Sequence, residues 1–89
     1  MEIFFFHMFW GCPKLSDIKS LQNWNVSNGN NFERFFYKCS SLSDIESLVN
    51  WNVSNGNIFD GMFSECSSLL DIKPLQKWEI SQNNYYSLK

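Results

Sequence analysis

The sequence predicts an α/β repeat: a short solenoid of about three rungs, formed as a single array over residues 1–89. Three observations predict it. Residues 12–38 align with 39–65 without a gap, and 17 of the 27 positions are identical. Cys12, Cys39 and Cys66 mark the same period. Within each period a helix-like spacing of apolar residues is followed by a three-residue spacing. A unit this small cannot bury its apolar face alone, so successive units are expected to stack.

Composition agrees. The 89 residues are 44% hydrophobic and 18% charged, with a formal net charge of -2. That is too apolar and too weakly charged for a disordered chain. The length suits one small domain. No run approaches the ~20 apolar residues that cross a bilayer. With 7 basic against 9 acidic side chains, the footprint of a nucleic-acid binder is missing. There is no Ala and no Thr, whereas Ser (13) and Asn (11) abound, which argues against an ordinary helical bundle.

The array divides into a partial unit (3–11), two full units (12–38 and 39–65) and an incomplete unit (66–89). Phe32, Phe35, Phe36 and Cys39 fall at i, i+3, i+4 and i+7, one face of a helix. Phe59, Met62, Phe63 and Cys66 repeat the spacing, as do Phe5, Met8, Phe9 and Cys12. Asn30 with Glu33, and Asn57 with Asp60, resemble a capping box. Gly29, Gly56 and Asn83 stand just before, where a left-handed turn residue is expected.

An extended phrase follows. Leu15, Ile18, Leu21 and Trp24 are three apart, with Val26 next. Leu42, Ile45, Leu48, Trp51 and Val53 repeat this, then Leu69, Ile72, Leu75, Trp78 and Ile80. The step fits a coil that turns apolar residues inward at each bend, with a short strand around Ile18, Ile45 and Ile72. Pro74 supplies no ladder donor, so any strand should end at or before it. In the middle unit the inward set should be Phe32, Phe36, Cys39, Leu42, Ile45, Leu48, Trp51 and Val53.

Three cysteines cannot all pair within the chain. With no C-x-x-C and a single histidine, His7, no zinc-type ligand spacing exists, and no metal or cofactor is expected. The thiols should be stacked, reduced and slow to label. The N-terminus lacks the basic region and cleavage site of a signal peptide.

The string Phe9-x-x-Cys12-x-x-Leu15-x-x-Ile18 recurs from Phe36 and from Phe63. With Trp51-Asn52-Val53-Ser54-Asn55, Met62-Phe63 and Cys66-Ser67-Ser68-Leu69, it resembles the BspA-type (treponemal) leucine-rich repeat and the short repeat of bacterial surface proteins. The resemblance implies a curved, leucine-rich-repeat-like solenoid with short strands on one face and short helices on the other. It implies surface display, adhesion or protein binding, and no catalysis. The unit here, at 27 residues, is slightly long for that group. The unpaired cysteines point instead to a reducing cytoplasm, and the compartment stays open.

Residues flanking the inward isoleucines should face outward: Asp17 and Lys19, Asp44 and Glu46, Asp71 and Lys73. They form the candidate binding face. The aspartates are read either as a screened surface ladder or as a stripe selecting a cation or basic partner. Asn25-Val26-Ser27 and Asn52-Val53-Ser54 match the glycosylation sequon at one repeat position, a coincidence of an Asn- and Ser-rich chain. Trp24, Trp51 and Trp78 form a column that fills the core. Ser40-Ser41 and Ser67-Ser68 read as turns without a nearby base, so no nucleophile is indicated. His7, Arg34 and Gly61 are assigned to a solvated helix surface.

These readings predict a non-catalytic repeat module that binds protein or glycan. The alternative is a structural spacer, or a fragment of a longer repeat protein. Ile3, Phe4, Phe5, Phe6, Met8, Phe9 and Trp10 at one end, and Tyr85, Tyr86 and Leu88 at the other, should present apolar surface. Head-to-tail self-association is the expected consequence.

Overall fold

The three-residue apolar step is a hydrogen-bonding rule. In the middle unit the N–H of Cys39 donates to the Phe36 carbonyl, Leu42 to Cys39, Leu48 to Ile45 and Trp51 to Leu48, at 3.0–3.1 Å. Each of these four residues closes a tight turn onto the inward residue before it. Bonds spanning three residues place every third side chain on one side. Short 3₁₀ helices at Lys19–Leu21, Glu46–Leu48 and Lys73–Lys77 are part of this pattern. These details come from a computed structural model that describes residues 3–89, with the backbone alone for Ile3 and Phe4.

The strands are not where the sequence placed them. Ile18, Ile45 and Ile72 stand immediately before the 3₁₀ helices, at φ of -114°, -115° and -114°. Pro74 lies in the first turn of the third, where a missing N–H is tolerated. The strands are β1 (Ile3–Phe4) and β2 (Gly29–Asn31), paired in parallel. Asn31 continues the pairing as a bridge to Ile58.

The expected helix at Phe32–Cys39 is instead a run of turns. Its N–H groups alternate in direction. Those of Phe35, Tyr37 and Cys39 bond back to Phe32, Arg34 and Phe36. Those of Phe32, Arg34, Phe36 and Lys38 reach Ile58, Asp60, Met62 and Ser64 of the following unit, at 2.8–3.0 Å. Phe5, His7, Phe9 and Gly11 reach Asn31, Glu33, Phe35 and Tyr37 in the same way, each 26 residues ahead. An α-helix would keep these donors to itself. Here the alternation needs left-handed residues: Arg34 (φ 51°) and Lys38 (φ 63°), matched by His7 (60°), Gly11 (67°), Gly61 (65°) and Glu65 (58°). An L-residue there costs about 1–2 kcal/mol, which the bonds between units must offset. Asn30 caps nothing: its Oδ1 accepts from Asn57 Nδ2 at 3.0 Å.

Gly29 and Gly56 do not have positive φ, contrary to expectation. They are glycine for lack of space. A Cβ on Gly29 would stand 2.4 Å from Phe32 Cζ and 2.9 Å from the Val26 carbonyl oxygen.

Packing follows the same period. Phe5, Phe32 and Phe59 stack at centroid distances of 5.5 and 5.3 Å with rings 12° and 11° from parallel. Phe9, Phe36 and Phe63 stack at 5.7 and 5.4 Å, 10° and 11° from parallel. All eight residues expected inward in the middle unit are buried.

The two ends differ. At the start of the stack, called the first unit below, Met8 of the partial repeat and Trp24 are 44% and 38% exposed, against 0% and 4% for their counterparts Phe35 and Trp51. The side chains of Ile3 and Phe4, expected at the same end, lie outside the described residues. The other end is closed, which corrects the expectation of a bare C-terminus. Helix α1 (Gln82–Ser87) starts on Ser81, whose side chain accepts from the Asn84 N–H at 3.1 Å. The chain then returns, so that Gly61 donates to Ser87 and Phe63 to Leu88, at 2.8 and 2.7 Å. Leu88 is fully buried, Tyr85 is half-buried, and Tyr86 stays exposed.

Candidate functional site: the aspartate face

Asp17, Asp44 and Asp71 recur because each closes the same local turn. Their Oδ1 atoms accept the backbone N–H of Lys19, Glu46 and Lys73 at 2.9, 3.0 and 2.9 Å. A short side-chain acceptor two residues ahead of a free N–H is the Asx-turn device. It supplies the start of each 3₁₀ helix with an acceptor that its backbone lacks. All six candidate residues, Asp17, Lys19, Asp44, Glu46, Asp71 and Lys73, are exposed.

The unit spacing brings neighbouring aspartates to shared clefts. Asp17, Lys19, Asp44 and Ser47 line one of about 180 Å³. Asp44, Glu46, Ser68, Leu70, Asp71 and Pro74 line the next, of about 300 Å³. Lys73 lines neither. The charge therefore changes along the face: Lys19 accompanies the first aspartate, and Glu46 adds to the second. Such a surface offers carboxylate oxygens at a regular spacing. Leu70, 89% exposed beside Asp71, adds an apolar contact.

A larger cleft of about 400 Å³, which the sequence did not indicate, runs along Val49–Ser54 and Lys77–Glu79. The tryptophans beside it are not a stacking surface. Trp51 and Trp78 are buried, and their indole N–H groups donate to the Leu21 and Leu48 carbonyls, both at 2.9 Å. The sequon positions also have a structural purpose. Asn25 Oδ1 accepts from the Ser27 N–H and hydroxyl at 3.0 and 2.6 Å, and Asn52 treats Ser54 alike at 3.1 and 2.7 Å.

Around Arg34, which the sequence assigned with His7 and Gly61 to a solvated helix surface, side chains interlock. Trp10 and Tyr37 lie 4.4 Å apart, and the Arg34 guanidinium sits 5.6 and 5.2 Å from their ring centres. The Tyr37 hydroxyl donates to Glu65 Oε2 at 2.6 Å. That bond, with some desolvation, raises the Tyr37 pKa. The register of Trp10 and Tyr37 was visible in the sequence. The left-handed backbone that gathers them was not.

The thiols are free. Cys39 and Cys66 are buried and donate to the Phe9 and Phe36 carbonyls at 3.2 and 3.1 Å. Burial pushes Cys39 up to about 11 and raises Cys66 as well. Cys12 is half-buried, so the expectation of three equally shielded thiols fails at the first.

Among the described residues no helix is long and apolar enough to cross a membrane. The family model described as "Mycoplasma protein of unknown function, DUF285" matches residues 5–88. No curated protein and no solved structure matches the chain.

Proposed function

The chain belongs to that DUF285 family, and from this premise we propose that it is a non-catalytic repeat module, a leucine-rich-repeat-like solenoid of about three rungs, that binds a protein or glycan partner. On this reading it acts as the BspA-type surface repeats do, displayed where a partner can reach it. The exposed face of Asp17, Asp44 and Asp71 is its contact surface. Turn runs take the place of the outer helices. The observation that carries the reading is the placement of the aspartates: identical turns hold them, and adjacent ones share clefts. Periodic charge on a fixed backbone suits selection by complementarity.

Asparagine keeps the turn acceptor and removes the charge. The triple variant Asp17→Asn, Asp44→Asn, Asp71→Asn should therefore fold normally. Binding would be screened on a glycan array and a panel of basic extracellular proteins. A binder that the parent retains and the triple variant loses at least tenfold supports the proposal. Equal binding by both sinks the aspartate face.

The second reading, a structural spacer or a piece of a longer array, draws on the uncovered first unit. A sharp melt independent of concentration favours the self-sufficient module. A melt that shifts with concentration favours the spacer.

A further inference from the structure

The exposed face of the first unit differs from a random apolar patch, because its polar groups are in register. Each junction already present is made by N–H groups of one unit reaching carbonyls of the next. Phe9 and Gly11 donate in this way to Phe35 and Tyr37. The carbonyls equivalent to those of Phe35 and Tyr37 in the first unit are Met8 and Trp10. Neither accepts a hydrogen bond among the described residues.

A second set of groups points the same way. Trp51 and Trp78 donate their indole N–H to a carbonyl thirty residues earlier. Trp24 stands in the same position, 38% exposed, with no acceptor among the described residues. Among the described residues the Cys12 thiol likewise has no carbonyl such as Cys39 finds at Phe9.

We infer that this face is a docking edge for one further unit of the same 27-residue repeat, joined in the register that joins the units already present. The occupant must bring N–H donors to Met8 and Trp10, and a carbonyl to the Trp24 indole. An intact second copy cannot supply the donor to Met8, which in this register would be its Phe63 N–H. Its C-terminal edge has spent the Gly61 and Phe63 N–H groups on Ser87 and Leu88. Its first unit would set acceptors against acceptors. The edge is thus open at the first unit, whereas at the last unit the residues at the end of α1 and after it take up the Gly61 and Phe63 N–H groups. This edge is separate from the aspartate face, and the two proposals fail independently.

A copy of residues 28–54 placed directly before Met1 preserves the period. It brings a second Phe36 and Lys38 opposite Met8 and Trp10, and a second Leu48 opposite Trp24. The expected result is at least a tenfold slowing of Trp24 indole hydrogen exchange by NMR, with a higher melting temperature. A scrambled copy of the same composition should leave both unchanged. Unchanged Trp24 exchange with the in-register copy overturns the inference, as does equal protection by the scrambled one. A dimer of the unextended chain that protects Trp24 across a dilution series would overturn it too, by making a second copy the occupant.

Discussion

The indole N–H of Trp78 donates to the Leu48 carbonyl at 2.9 Å, and Trp51 does the same to Leu21. One buried side chain thereby fixes the register of two units. The Leu21 carbonyl would keep the Trp24 backbone N–H, so loss of the indole forfeits one hydrogen bond, about 0.5–1.5 kcal/mol. Trp51→Phe should lose about that much in urea unfolding. Trp24→Phe, whose indole has no acceptor among the described residues, should lose under about 0.5 kcal/mol. Equal losses at the two positions would mean that the hydrogen bond contributes nothing.

Leu42 is fully buried between units, and Leu70 is 89% exposed. Leu42→Ala should cost about 2–5 kcal/mol, enough to unfold much of a domain this size at ambient temperature. Leu70→Ala should stay within about 0.5 kcal/mol. Calorimetric melts of the two variants would check the assignment of inward and outward residues.

Two glycines should fail alanine substitution for different reasons. At Gly29 the added carbon meets the Phe32 ring and the Val26 carbonyl oxygen, so Gly29→Ala should cost about 1–3 kcal/mol through overpacking. At Gly11 nothing lies within 4 Å, but φ is +67°, so Gly11→Ala should cost about 1 kcal/mol through backbone strain. Gly11→Asn, which tolerates that conformation, should recover part of the loss, and Gly29→Asn should not. Denaturant midpoints of the four variants would decide.

The thiols give a kinetic test and a pH test. Cys12 should label promptly with a thiol reagent in the folded state, whereas Cys39 and Cys66 should wait for unfolding. Burial raises the Cys39 pKa from 9.0 to about 11. The folded state therefore holds its proton more tightly than the unfolded one. Its contribution is fully present below pH 9 and is lost as pH rises towards 11. The melting temperature should fall over that window, and less steeply in Cys39→Ala. Parallel slopes would remove Cys39 from the account.

The period, the inward residues of the middle unit and the exposed aspartates were legible because each is a matter of spacing. The backbone at Phe32–Cys39 was not. Side chains at i, i+3, i+4 and i+7 turn inward equally well from a helix or from a run of turns. What separates the two is the left-handed conformation at Arg34 and Lys38, residue types that carry no signal for it. Gly11 and Gly61 were the only hints, each in register with one of these positions. Gly29 misled in the opposite sense, because steric room and positive φ select the same residue. The closed C-terminus escaped for a related reason. Residues 81–89 continue the period in number but not in kind, with Tyr85 and Tyr86 where Ile58 and Phe59 stand one unit earlier.

The ladder between units has one more consequence. The peptide linking Phe35 to Phe36 points its carbonyl back to Phe9 and its N–H forward to Met62, and the peptide linking Tyr37 to Lys38 is oriented likewise. Peptide dipoles so aligned add, as they do along an α-helix. The stack therefore carries a macrodipole along its axis. The negative pole lies at the open first unit. The positive pole lies at the last, against the Ser87 and Leu88 carbonyls. Each added unit lengthens that dipole, so cationic side chains are favoured beside Met8 and Trp10 and anionic ones are disfavoured there.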